Sequence, residues 1–222
     1  IKIPLPPLDI QQKIVSEIEV LEAKEKKAKE EVEKLKNEVN DVFNKIETFQ
    51  KVSLEDIAEN LDNLRKPVTK GYRENGDIPY YGASGIVDYV SNYVLDDYVL
   101  LVSEDGANLK ARTSPIAFTA SGKIWVNNHA HVLQAKKDIS SNKFLKYSIS
   151  KINIEPFLVG GGRAKLNANI MMKINIYVPL ELQEQEKIGN YFQKLDNQID
   201  LQQKELEKLK NIKKASLDKM FV

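Results

Sequence analysis

The sequence predicts an α+β fold: one globular mixed-sheet domain carried between two long helices that pair as an antiparallel coiled coil. Three observations predict it. A stretch near the start recurs near the end at a fixed offset. Both copies space their apolar residues in alternating steps of four and three. The residues between the copies have a different composition. The predicted boundaries are 1–50 for the first helix, 51–179 for the domain and 180–222 for the second helix.

The repeat is the firmest of the three. Glu31-Val32-Glu33-Lys34-Leu35-Lys36-Asn37 returns as Glu205-Leu206-Glu207-Lys208-Leu209-Lys210-Asn211, an offset of 174 positions. The same offset pairs Gln11 with Gln185, Lys13 with Lys187, Ile14 with Ile188 and Leu21 with Leu195. In the first copy Ile14, Ile18, Leu21, Ala28, Val32, Leu35, Val39, Val42, Ile46 and Phe49 follow the 4/3 rhythm, with Glu25 the single break. In the second copy Ile188, Phe192, Leu195, Ile199, Leu206 and Leu209 keep the phase around Gln202. A 3.5-residue stripe is the seam of a coiled coil. Pro4, Pro6 and Pro7 stand before the first helix and Pro179 before the second, where proline is tolerated. A helix from Asp9 to Thr48 would run roughly 60 Å.

The middle segment holds nine of the ten glycines, the single Trp and both His. Short apolar runs predict strands at Tyr98–Val102, Ile116–Phe118, Ile124–Val126, His131–Leu133 and Ile174–Val178. Asn75-Gly76, Asp105-Gly106 and Ser121-Gly122 read as turns. Helices are expected over Ser141–Ser150 and Leu54–Leu61.

Composition limits the function classes. With 42% hydrophobic and 29% charged residues, the 222-residue chain can bury a core. No apolar run is long enough to cross a membrane and no secretory signal opens the chain. Cysteine is absent, which removes disulfides and thiolate metal sites and suits a cytoplasmic protein. The start, Ile1-Lys2-Ile3-Pro4, lacks an initiator Met and is expected to be the edge of a fragment or processed chain.

Net charge is only +1, so any nucleic-acid surface must be local. Residues 51–179 carry 16 Lys/Arg against 13 Asp/Glu, and the cations cluster on turns. Arg65, Lys66, Lys70 and Arg73 lie near Tyr72, Tyr80 and Tyr81. Lys110 and Arg112 follow Asp105-Gly106, Lys123 follows Ser121-Gly122, and Arg163 and Lys165 follow three glycines. Cations on glycine-rich turns can approach phosphates or base edges, and Arg and Asn match guanine and adenine in pairs of hydrogen bonds. The bland alternative is a set of solvated loops.

Catalytic motifs are missing. Neither Ala117–Ile124 nor Gly160–Lys165 fits a P-loop, the triple glycine lacks dinucleotide spacing, and Gly82-Ala83-Ser84-Gly85 is one residue short of a nucleophile elbow. His129 and His131 on one strand face, with Glu104 and Asp105, hint at a metal site, but polar strand residues are the simpler reading and no metal ligand is assigned. A small metal-dependent nuclease and a coiled-coil hinge are the competing classes.

Longer motifs carry a resemblance. Ile78-Pro79-Tyr80-Tyr81-Gly82-Ala83-Ser84-Gly85-Ile86, Glu104-Asp105-Gly106-Ala107-Asn108-Leu109 and the run from Gly122 to Leu133 resemble a target recognition domain of the type I restriction–modification specificity subunits. Gly161–Asn167 followed by Ile174–Pro179 is similar to the exit from such a domain. Gln11–Ile14, Glu184–Gly189 and the ending Ser216–Val222 are similar to their spacer helices. The resemblance implies a non-catalytic subunit that reads one half of an interrupted DNA site. Its coiled coil would set the distance between halves and dock methyltransferase subunits, which hold the S-adenosylmethionine chemistry. A separate restriction and translocation subunit cuts. Members of full length carry two recognition domains and this chain carries one, so a C-terminal half, or a half-length form working as a homodimer, is expected. The loops around Arg65–Tyr81, Glu104–Arg112 and Ser121–His129 are expected to face DNA, with Ser84, Asn108, Ser121, Asn127, Asn128 and His129 supplying polar contacts beside the cations. Gly160–Asn167 is expected to join them or to pack on the helix start.

Overall fold

The computed structural model describes residues 7–44 and 49–220, which fall into two compact units, 1–46 with 192–222 and 47–191. Helix α1 (Leu8–Asn44) and helix α6 (Leu182–Met220) are 37 and 39 residues long, about 55–60 Å each.

The helical unit is built on the seam. Along α1 the positions shielded from solvent are Gln11, Ile14, Ile18, Leu21, Glu25, Ala28, Val32 and Leu35, in steps of three and four. On α6 they continue through Phe192, Leu195, Ile199, Gln202, Leu206 and Leu209. Lys213 pairs with Glu22 at 2.7 Å, while Ala28 and Glu31 share a groove with Gln202 and Glu205. Numbers rise on one helix as they fall on the other, so the pair is antiparallel. The Glu22 carboxylate and the Glu25 charge hold the Lys213 ammonium above its ordinary range. The side chains of Val39 and Val42, and Pro4, Pro6 and Ile46, lie outside the described residues.

Residue Phe49 departs from the predicted seam. It opens strand β1 (Phe49–Ser53), antiparallel to β12 (Asn175–Pro179), with Phe49 opposite Pro179 and Ser53 opposite Asn175. The remote strand supplies a full set of ladder bonds, and the helical rhythm yields to it.

Two four-stranded sheets make the domain. The first has the order β2 (Ala58–Asn60), β9 (Ala130–Ala135), β6 (Val99–Ser103), β7 (Ala117–Ala120), all antiparallel. The second has the order β4 (Gly85–Val90), β3 (Ile78–Gly82), β8 (Lys123–Val126), β5 (Leu95–Asp96), in which β3 and β8 are parallel. The sheet arrangement is therefore mixed. Val99 and Leu101 of β6, Ala130 and Val132 of β9, and Ile124 and Val126 of β8 form one apolar cluster. Helix α4 (Asn142–Lys151) packs on β6, β7 and β9 and covers the other face, so β6 is buried at every position. That double covering is why its sequence is an unbroken apolar run rather than an alternation.

The predicted helix over Leu54–Leu61 is a single turn, α2 (Leu54–Ile57), because Ala58–Asn60 pair with β9 instead. Asp105-Gly106 is not a free turn. Asp105 occupies the N-cap position of helix α3 (Gly106–Ala111), without a capping bond from its side chain. The short hairpin β10 (Leu158–Val159) and β11 (Lys165–Leu166), then α5 (Ala168–Met172), lead to β12. Gln185 fixes the first turns of α6 to this unit. It is 2% exposed, accepts from Ser140 Oγ at 2.9 Å, and donates to the carbonyls of Ile139 and Pro179 at 3.1 and 3.2 Å.

Candidate nucleic-acid interface

The ends of three strands meet at one edge of the domain. Strands β3 and β8 run in parallel, so the Gly82–Gly85 turn and the Asn127–His129 loop emerge at the same end, tied by Asn127 N–H to Tyr81 O at 3.1 Å. Strand β6 ends beside the start of β9, where Glu104 N–H donates to His129 O at 2.9 Å. Leu166 N–H donates to Glu104 O at 3.0 Å and Gly106 N–H to Ala164 O at 2.9 Å, which brings the β10–β11 hairpin to the same edge. Asn108 Nδ2 reaches Ala83 O at 3.5 Å. Four segments distant in sequence thus present Ser84, Asn108, Asn128, His129, Arg163 and Lys165 together. Gly161 and Gly162 at the hairpin tip have open space around them.

Beneath this edge lies an ion network. Asp62 accepts from the His131 ring at 2.6 Å, from Val132 N–H at 2.8 Å and from Arg65 at 3.1 Å. Arg65 also binds Glu104 at 2.7 Å and the Ala130 carbonyl at 3.2 Å, and Glu104 receives Lys165 at 2.9 Å. Burial alone would raise both carboxyls. At Asp62 the hydrogen bonds and charges of His131, Val132 and Arg65 outweigh it, and the group is held below the ordinary range. At Glu104 the bonds from Lys165 and Arg65 do the same. No sequence signal singles out Asp62: apart from Arg65, its partners stand 69 and 70 residues further along.

The two histidines do not share a site. His131 is 1% exposed and its second ring nitrogen lies 2.7 Å from Leu166 O, whereas His129 faces Asp105 at 3.0 Å. Among the described residues no three His, Asp or Glu side chains gather as metal ligands.

A second cluster surrounds a cavity of about 210 Å³ lined by Val68, Tyr72, Arg73, Tyr80 and Trp125 among others. Arg73 lies over the Tyr80 ring at 4.2 Å and binds Asp88 at 2.8 Å. Lys66 sits over Trp125 at 5.8 Å, and the Trp125 indole donates to Lys66 O at 2.6 Å. Lys66 N–H bonds Val126 O, so this residue stands beside the edge. Lys70 and the strongly exposed Tyr72 form a projecting turn.

Several predicted contacts have other duties. Tyr80 is 1% exposed and its hydroxyl is engaged by Val68 N–H at 3.1 Å. Asn127 is buried, and its side chain accepts from His129 N–H at 2.8 Å. Tyr81 stacks on Phe118 at 5.9 Å, which half-buries it and pushes its hydroxyl pKa up. Ser121 and Lys123 lie at the opposite end of β8 from Asn127, where Lys123 covers Tyr93 at 4.9 Å. Lys110 is exposed on the last turn of α3.

Arg112 also has a structural partner. Its backbone takes the left-handed conformation that ends α3, at φ 51°, and its guanidinium donates to Ser150 O at 2.6 Å and to Ile152 O. It therefore satisfies carbonyls at the C-terminus of α4, which have no partner inside the helix. Arg112→Ala should lower stability by about 1 kcal/mol and leave nucleic-acid affinity unchanged. Denaturant melts beside binding titrations separate the two effects.

Residues 46–211 match the family described as the type I restriction modification DNA specificity domain, and the chain belongs to that family. Over 126 residues it is 40% identical to a putative type I restriction enzyme specificity subunit of Haemophilus influenzae, covering 57% of this chain and 32% of that protein. Its fold is similar to that of the type I restriction-modification S subunit from M. genitalium, with a TM-score of 0.71 and 18% identity over 97% of this chain and 62% of the other. It is also similar to a chain in a structure of type I R-M complex assembly and conformational transition, with a TM-score of 0.62 and 17% identity over 99% and 60% of the two chains. The chain thus spans about a third of the curated relative and about 60% of the solved subunits. Among the described residues, no helix is long and apolar enough to cross a membrane.

Proposed function

We propose that the edge formed by Ser84, Asn108, Asn128, His129, Arg163 and Lys165 reads one half of a two-part DNA site, with Lys66, Lys70 and Tyr72 flanking it. The observation that carries this reading is the convergence of four remote loops whose exposed side chains are hydrogen-bonding or cationic, around open glycines that permit a close approach. Membership of a DNA specificity family supports it. The antiparallel helices act as the spacer and dock methyltransferase subunits. Those subunits supply the S-adenosylmethionine chemistry, a restriction subunit joins the full complex, and a second recognition domain, or a second copy of this chain, reads the other half-site.

The test is selection from randomised duplexes by the chain assembled with its methyltransferase subunit, followed by a salt series. A short enriched sequence with affinity falling as salt rises is expected. Arg163→Ala and Lys165→Ala should each flatten the log–log salt slope by about one. Selection that enriches no sequence overturns the reading.

A further inference from the structure

Beside the exposed Ile86, a second apolar side chain stands exposed at the polar edge, and the backbone is bent to put it there. Strands β3 and β4 pair Tyr80 with Asp88 and then Tyr81 with Ile86, so Val87 has no partner across the ladder. It is the extra residue of a β-bulge, a device that re-aims a side chain and is common beside functional sites. Val87 is 54% exposed. Its side chain lies over Gly82: a methyl built on that glycine would meet Val87 Cγ1 at 3.0 Å and Asn127 Nδ2 at 3.4 Å. Asn108 reaches the next residue, Ala83, and Ser84 completes the turn. Glycine at position 82 leaves the Val87 methyls where the Asn127–His129 loop and the turn meet.

A bulged, solvent-facing valine contributes little to the core, and neither the repeat nor the family motifs call for it. It covers Gly82, beside the Asn127 amide and at the start of the turn that carries Ser84, so its surroundings on that side are polar, which favours nucleic acid over an apolar protein surface as the occupant. In the major groove the C5 methyl of thymine is the one apolar feature on a base edge, and it is read by apolar side chains.

Resting on the DNA-reading edge proposed above, we infer that Val87 is a specificity-determining residue that contacts a pyrimidine C5 methyl group. The neighbouring polar groups define the adjoining base pairs, and Val87 distinguishes thymine from cytosine at one position.

The experiment uses the chain assembled with its methyltransferase subunit and the half-site obtained by selection. Each thymine is replaced in turn by uracil, which removes only the methyl, and each cytosine by 5-methylcytosine. In the unaltered protein one thymine-to-uracil change should weaken binding about fourfold, the loss of roughly one buried methyl group. In Val87→Thr, which keeps one methyl, that penalty should shrink, and in Val87→Ser, which keeps none, it should fall towards one, while uracil changes elsewhere behave as before. An enriched half-site with no methyl-sensitive position, or a uracil penalty equal in all three proteins, overturns the inference and leaves DNA reading intact. Selection that enriches no sequence overturns the DNA-reading edge and the role of Val87 with it.

Discussion

Asp62→Ala is expected to destabilise the domain by about 3 kcal/mol or more, because it takes the acceptor from the His131 ring and the Val132 N–H at once and removes one of the two carboxylates on Arg65. The His131 ring is 2% exposed and Arg65 17% exposed, and both are held by the Asp62 carboxylate. Removing one partner of a buried pair leaves the other desolvated without compensation. For a domain of this size that is a fall of about 10 °C in the melting midpoint. Asp105→Ala, whose partner His129 is half exposed, should leave the midpoint nearly unchanged. The same network sets an acid limit. Asp62 and Glu104 are depressed in the folded state, so the unfolded chain binds protons more readily. Their contribution is complete above the unfolded carboxylate pKa values of roughly 3.9 and 4.3, and it is lost as pH falls through the lower folded values. Melts from pH 7 to pH 3 should show the loss in the parent and a shallower dependence in Asp62→Ala. Equal slopes would show that the network does not govern acid stability.

Gly106→Ala is expected to act on recognition more than on the fold as a whole. An added Cβ would lie 2.3 Å from the Ala164 carbonyl oxygen and 2.9 Å from its carbon, both backbone atoms with no rotamer to retreat into. The β10–β11 hairpin must move, breaking the Gly106 N–H bond to Ala164 O. Overpacking of this kind costs about 1–3 kcal/mol. The hairpin carries Arg163 and Lys165, so half-site affinity should fall tenfold or more. Gly161→Ala is the control, since open space surrounds that position. Its melting midpoint should match the parent. A Gly106→Ala protein that keeps full affinity would detach the hairpin from recognition.

What the sequence made legible follows from how local each signal is. The seam could be read to the residue from Ile14 to Leu35 because periodicity is a property of neighbours. Strand β6 was legible as an apolar run. The β3–β4 hairpin was not, since Pro79 dilutes its strand signal and the bulge at Val87 breaks the alternation. The candidate site divides in the same way. Which turns carry cations is visible in composition. Whether a cation is free is not, because Arg65 finds Glu104 across 39 residues and Arg112 finds Ser150 across 38. Histidines two apart suggested a shared site, yet their partners come from opposite directions.

The pairing of β1 with β12 has a consequence for inheritance. The first and last strands of the domain are hydrogen-bonded to each other over five residues, so the two ends of segment 49–179 lie side by side. A cassette with adjoining ends can be exchanged by recombination at two places without altering the spacing of the flanking segments. On the reading proposed above, such an exchange would replace the recognition edge in one step, while single substitutions at Val87 or Asn108 would adjust it gradually.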